Sequence, residues 1–401
     1  MSLTNTTQTY GTVTKTFHWL TALLIITLIP LGIIANGLPY ETSEELAQKA
    51  YLFSLHKTLG IFVFFVALAR ILWALSQPKP GLLHADRKVE SWAAETVHWL
   101  LYGSLLLVPL SGWIHHAATT GFAPIWWPLG QSLPFVPKDP DVAATFAGLH
   151  IVFERVLALS IFLHFAGALK HHFVDKDVTL RRMWFGSASV PKTSGGHSRA
   201  VPLVSALAAW VIALFIGSNL GVYSHHGASA APEALASVQS DWTVQDGTLA
   251  ITTKQFGQEV QGAFADWTAA IQFDPEVTQG TAGDVTVTVS IGSLTLGSVT
   301  DQAFAPDYFD LVSFPTATFN AEIEPITDGY VAKGVLTIKD KAMPLEMPFG
   351  LSLDGDTASM SATLALDRRD FGIGLNMLDE GQLMYQVKVD VNLVATRAAT
   401  E

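Results

Sequence analysis

The chain has 401 residues, with 23 Lys and Arg against 35 Asp and Glu, a net charge of −12, and no cysteine. The acidic balance argues against nucleic acid as a partner, and the missing thiols exclude disulfides, Cys-ligated zinc, iron–sulfur clusters, thiol nucleophiles and covalent c-type haem. Hydrophobic residues at 49%, charged residues at 14% and a mean hydropathy of +0.34 are too apolar for a disordered chain or an ordinary soluble enzyme, so membrane embedding is expected.

Five apolar stretches follow in chain order, roughly 16–36, 52–76, 93–116, 144–170 and 200–222, each long enough for the about 20 residues of helix that a bilayer requires. The first begins after Lys15 and meets no charge until Glu41, which is too long for the short apolar core of a cleaved signal and predicts a retained span. Lys79, Arg87 and Lys88 lie between the second and third stretches, and Lys176, Arg181, Arg182, Lys192 and Arg199 follow the fourth. Retention of positive charge on the cytoplasmic side places those loops inside. The opposite loops hold Glu41, Glu44, Glu45, Lys49, Lys138, Asp139 and Asp141. A fifth span then delivers the C-terminal half outside, which in a bacterial inner membrane is the periplasm.

All thirteen histidines precede residue 227. Histidine within a spanning helix is costly and marks a functional site by default. His18 opens the first span on the inner side, His56 opens the second on the outer side, and the fourth carries His150 and His164. Fourteen residues of helix separate the last two by about 21 Å and return to nearly the same face. Matching depth pairs His56 with His150 outside and His18 with His164 inside, two bis-imidazole sites stacked across the membrane. Two haems b suit them better than zinc, since each site offers two ligands and an apolar surround, whereas zinc takes three or four. His98 on the inner side and His115 and His116 on the outer side compete as ligands, and spacing does not eliminate them. The bland reading of any one of these imidazoles is a hydrogen bond to a neighbour or to headgroups. His84, His197, His225 and His226, in loops or at a helix end, are read as structural.

Phe17-His18-Trp19-Leu20, the run Leu55 to Leu75, His98 to Trp113 and His164 to Met183 resemble the bacterial cytochrome b561 family over about residues 10–185. The resemblance implies a four-helix core, two haems b held by His18, His56, His150 and His164, and exchange of electrons with the membrane quinone pool, ubiquinone in particular. His171, seven residues beyond His164, is then a candidate for hydrogen bonding a quinone carbonyl, with interfacial packing as its alternative. Arg70, fourteen residues beyond His56, is a candidate partner for a haem propionate or quinone, with charge anchoring as its alternative. Glu154 and Arg155 enter the fourth span and are affordable only if paired.

Residues 1–223 carry 15 basic and 11 acidic side chains, net +4, and residues 224–401 carry 8 and 24, net −16. The join, Gly227 to Val238, is rich in small residues and reads as a linker. Arg199, the apolar run and Ala228-Ser229-Ala230 imitate a signal peptide, but about 22 apolar residues suit an anchor, so an uncleaved tether is expected. Beyond 240 the pattern turns to period two, as in Val285, Val287, Val289 and Ile291 or Val387, Val389, Val391 and Leu393. About eight strands closing into an antiparallel barrel are predicted. No catalytic constellation is visible there. Phe256, Phe264, Trp267, Phe273, Phe309 and Phe319 either fill a core or line a cavity. Phe256 to Phe273, Asp307 to Phe319, Val331 to Ile338 and Arg369 to Gly374 resemble the YceI family, which implies a lipocalin-like barrel holding an isoprenoid chain, quinone tails included. This chain departs from that pattern at Val299 to Pro306, so only the apolar lining carries over.

The expected organisation is a membrane all-α four-helix dihaem bundle (1–190), a fifth transmembrane helix and linker (191–238) and an all-β antiparallel lipocalin-like barrel (239–401). The expected function is quinone-linked electron transfer with a tethered isoprenoid-binding barrel. Alternatives are superoxide oxidation with quinone reduction, service as electron conduit to a periplasmic redox partner, and an anchored lipid-binding protein without redox turnover.

Overall fold

The computed structural model describes residues 2–128, 130–186, 190, 200–223 and 234–397. Lys192, Arg199, His197, His225, His226 and most of the linker lie outside the described residues. Six helices occupy the N-terminal half: α1 (Thr12–Gly37), α2 (Ser43–Ser76), α3 (Lys88–Ala118), α4 (Pro140–Phe173), the short α5 (Thr179–Met183) and α6 (Ala200–Asn219). Five of them are long and apolar enough to cross a membrane. The first four of these run past the apolar stretches; at the start of α4 a polar cap sets the end, Asp139 accepting from the backbone N–H of Asp141 and Val142 ahead of Pro140.

Leu23, Ile26, Ile33, Phe162, Phe165, Val211 and Phe215 are exposed on the helices, while the most deeply buried positions include Ala35, Ala67, Ser104, Ser160 and Ala206. Large outside and small inside is the pattern of helices solvated by lipid and packed through small residues. α3 and α4 approach closely along their length and α6 lies on both; α1 and α2 approach the backbones of neighbouring helices only at isolated points. Gly103 gives room to Trp210 of α6, and Gly217 to the Tyr223 ring.

A second compact unit contains 38–50, 119–124 and the described residues from 234 onward. Its ten strands are β1 (Trp242–Gln255), β2 (Gln258–Phe264), β3 (Trp267–Phe273), β4 (Gly283–Ser290), β5 (Leu294–Thr295), β6 (Thr316–Ile326), β7 (Gly329–Ile338), β8 (Lys341–Asp354), β9 (Thr357–Asp367) and β10 (Gln386–Arg397). They form one antiparallel sheet in the order β3-β4-β6-β7-β8-β9-β10-β1-β2-β5. Ten strands replace the expected eight: the run 259–273 breaks at Ala265-Asp266 into β2 and β3, and Leu294-Thr295 adds a two-residue strand. The sheet curls until β3 meets the start of β1, where Asp241 N–H donates to Ile271 O and the Trp242 indole donates to Phe273 O. A bulge between Val244 and Asp246 shifts the parity of β1, so that Trp242 and the later residues Leu249, Ile251, Thr253 and Gln255 all face the same interior.

Candidate functional sites

His56 and His150 are each fixed by the helix beside them. His56 Nδ1 lies 3.1 Å from Leu28 O of α1, and His150 Nδ1 lies 2.8 Å from Val108 O of α3. A carbonyl only accepts, so in both rings Nδ1 bears the hydrogen and Nε2 keeps its lone pair, the tautomer a metal ligand needs. One turn beyond each carbonyl stands a glycine. A Cβ on Gly32 would sit 2.8 Å from His56 Cε1, and one on Gly112 would sit 2.9 Å from His150 Nδ1. Only a glycine lets the imidazole lie that close to the neighbouring backbone.

The two arrangements are copies. His18-Trp19-Leu20 and His98-Trp99-Leu100 are each followed ten residues later by the accepting carbonyl and fourteen later by the glycine. Leu55-His56 and Leu149-His150 are each followed nineteen residues later by Ala-Leu. The hairpin α1–α2 thus repeats as α3–α4, His18 corresponding to His98 and Arg70 to His164. This repeat is the signal that sequence reading by depth alone passes over.

At the inner level His18, His98, His164 and Arg70 converge. The His18 and His164 ring centres are 6.1 Å apart and those of His98 and His164 are 5.1 Å apart. Arg70 Nη2 reaches within 3.5 Å of His18 Nδ1 and lies over the Tyr102 ring. His98 donates Nδ1–H to Ala94 O of its own helix at 2.7 Å. Two metal–nitrogen bonds of about 2 Å plus two half-widths of an imidazole span roughly 6 Å, which His18 and His164 match and His98 does not. His115 makes the same kind of Nδ1 bond, to Ala143 O at 2.8 Å, and its ring lies tilted by 57° against that of His116, 4.5 Å away. Haem therefore fits the residues present: His56 and His150 with the Nε2 lone pair kept, and His18 and His164 at the spacing of two ligands to one metal, set where α1 and α2 stand off from their neighbours.

Beyond the inner end of α4, His171 Nδ1 is 2.7 Å from Asp177 Oδ2, and His84 Nε2 is 2.9 Å from the same oxygen, the two rings lying parallel 6.0 Å apart. His84, read from sequence as a structural loop residue, is brought here by the α2–α3 connection. Asp177 also accepts from Thr179 N–H at the start of α5. Burial pushes its carboxyl up, but the hydrogen bonds from Thr179, His171 and His84 outweigh that and hold it down to about 2. Lys170, Arg87, Glu90 and Asp175 enclose the group in ion pairs. The three atoms of His84, His171 and Asp177 lie within 4.8 Å of one another, a donor set suited to a proton or a divalent cation. Glu154 and Arg155 pair with each other at 3.5 Å.

The sheet encloses a cavity of about 310 Å³. Phe264, Trp267, Phe273, Phe309 and Phe319 line it, and Phe256 does not. Phe256 and Gly257 form the β1–β2 turn with φ of +48° and +73°, a turn of the I′ kind. The turn takes Phe256 out of the strand alternation, and its ring packs on the Tyr308 and Met377 cluster instead. Arg368 is the only charged residue of the lining. Its five N–H groups donate to the carbonyls of Ile373, Gly374, Met377, Leu383 and Met384.

Residues 9–186 match the prokaryotic cytochrome b561 family, and residues 240–395 match the YceI-like domain. Cytochrome b561 homolog 2 of Escherichia coli K12 is 35% identical over 195 residues, 47% of this chain and 98% of that protein. A probable superoxide oxidase of Yersinia pestis is 27% identical over 167 residues, 41% of this chain and 90% of that protein. Among solved structures, Burkholderia cenocepacia BcnA is 30% identical with a TM-score of 0.35, covering 37% of this chain and 96% of BcnA. A Campylobacter jejuni YceI protein is 21% identical with a TM-score of 0.31, covering 34% of this chain and 85% of that one. The chain is a multi-pass membrane protein of the prokaryotic cytochrome b561 family, in which electrons move through haem b, and it carries a YceI-like domain behind its spanning helices.

Proposed function

We propose that this protein is a dihaem electron carrier of the bacterial inner membrane, exchanging electrons with quinone at the inner leaflet and presenting a periplasmic barrel that holds an isoprenoid, quinone included. The domains are 1–190 for the bundle, 191–238 for the last span and tether, and 239–401 for the barrel. The observation that carries the reading is a matched pair: His56 and His150 each lie against a glycine, spend Nδ1 on the equivalent carbonyl of the repeated hairpin and keep Nε2 for a metal. The spacing of His18 and His164 supports the second site.

Haem b bound here would supply one-electron transfer. His56 and His150 would hold the outer haem, with the Leu28 and Val108 carbonyls orienting the rings. His18 and His164 would hold the inner haem. With Nε2 of His18 committed, its Nδ1 bears the proton and no longer accepts from Arg70, whose guanidinium is then free for a propionate or a quinone oxygen. His171, backed by Asp177 and His84, is placed to give or take the proton that accompanies quinone chemistry.

A pyridine haemochrome titration of the purified chain tests this. Two haems b per chain are expected. His56→Ala and His150→Ala are each expected to remove the same haem, and His18→Ala and His164→Ala the other. One haem per chain, or loss on His98→Ala instead of His18→Ala, would overturn the assignment.

The relative named a probable superoxide oxidase supports a second reading, oxidation of superoxide at the outer side. The net −16 of the C-terminal half repels that anion. If the reaction occurs, superoxide-driven quinone reduction should quicken as salt screens the repulsion; a rate falling with salt would argue against it.

A further inference from the structure

The inward face of β1 changes character along its length: Leu249 and Ile251, then Thr253, then Gln255 at the hairpin. Gln255 is 3% exposed. Its Nε2 donates to Gln302 Oε1 at 3.4 Å, and Gln302 Nε2 donates to the Tyr308 hydroxyl at 2.8 Å. Its own Oε1 is buried with no hydrogen-bond partner. A buried orphan acceptor costs free energy unless something fills it, and this one belongs to a residue of the cavity lining. Arg368 is close by in the lining but every N–H it has is spent on backbone carbonyls, leaving none for an anionic head.

We infer that the Gln255–Gln302–Tyr308 relay is the head site of the barrel, and that it selects an isoprenoid with a neutral, hydrogen-bonding head over a bare hydrocarbon and over a diphosphate. This rests on the reading of the barrel as an isoprenoid carrier. As drawn, Gln255 accepts from a hydroxyl. Turning both amides together lets the Tyr308 hydroxyl donate to Gln302 Oε1 and Gln302 donate to Gln255 Oε1, which leaves Gln255 Nε2 to donate to a carbonyl. The same three side chains thus serve either oxidation state of a quinone-type head, and they do so without charge.

The test uses the full-length haem-loaded protein in detergent and three probes sharing one C20 tail: geranylgeraniol, its diphosphate, and the hydrocarbon lacking the hydroxyl. Retention after gel filtration is read by native mass spectrometry. Wild type is expected to retain the alcohol about tenfold better than the other two, the worth of one buried hydrogen bond. Gln255→Leu is expected to lower alcohol retention about tenfold and leave hydrocarbon retention unchanged, which also reports that the cavity is intact. Gln302→Leu provides the same reading if Gln255→Leu does not fold. An unchanged ratio of alcohol to hydrocarbon in a folded variant, or preferred retention of the diphosphate, overturns the head site. Retention of none of the three by wild type overturns the carrier reading as well.

Discussion

Single atoms decide most of the chemistry. At Gly112 a methyl group would stand 2.9 Å from His150 Nδ1, closer than any side-chain carbon tolerates, so Gly112→Ala must push the ring off Val108 O. The expected result is loss or marked depletion of one haem and retention of the other, read by haemochrome. Arg368 poses the opposite problem, a buried cation neutralised by five carbonyls instead of a carboxylate. Arg368→Met leaves those carbonyls without their donor, and a loss of about 3 kcal/mol or more in barrel stability is expected. Calorimetric unfolding of the full chain checks it, since only the transition of the β unit should move.

At the scale of elements, the connection from α4 into α5 is where acid should act. Asp177 is held near 2, below its ordinary value of 3.8, through Thr179, His171 and His84. A depressed carboxyl contributes stability that is fully present above 3.8 and lost as the pH falls through about 2. Asp177→Asn should therefore weaken the α4–α5 connection at pH 7 and make little difference at the acid end of that window, measured as hydrogen exchange at Thr179 to Met183. The repeat of α1–α2 as α3–α4 belongs to this scale too. It supplies two equivalent outer imidazoles but unequal inner ones, because Arg70 stands where the copy has His164.

For the whole molecule, the five spans among the described residues and the positive charge of the α2–α3 loop predict a topology that can be tested directly. The absence of cysteine makes labelling free of background. Gln279→Cys in the β3–β4 loop should react with a membrane-impermeant maleimide in intact spheroplasts, and Asp86→Cys in the α2–α3 loop should react only after lysis. The reverse pattern would invert the proposed topology and move the quinone chemistry to the other leaflet.

The five spans, the shift to strands after residue 240 and the family of each half could be read in the chain itself, since hydropathy over about 20 residues and period-two alternation are local properties. So could the depths of His18, His56, His150 and His164, because a helix converts residue number directly into height. What residue number does not contain is who stands across the gap. That His98 stands nearer His164 than His18 does took the packing of three helices; finding His84 beside His171 took the path of a connecting loop; removing Phe256 from the cavity took a turn with two positive φ angles. The Leu28 and Val108 carbonyls carry no side-chain signature at all, being backbone atoms whose partners are chosen only when helices pack. The orphaned oxygen of Gln255 likewise exists only once a curled sheet has excluded water from both sides of it.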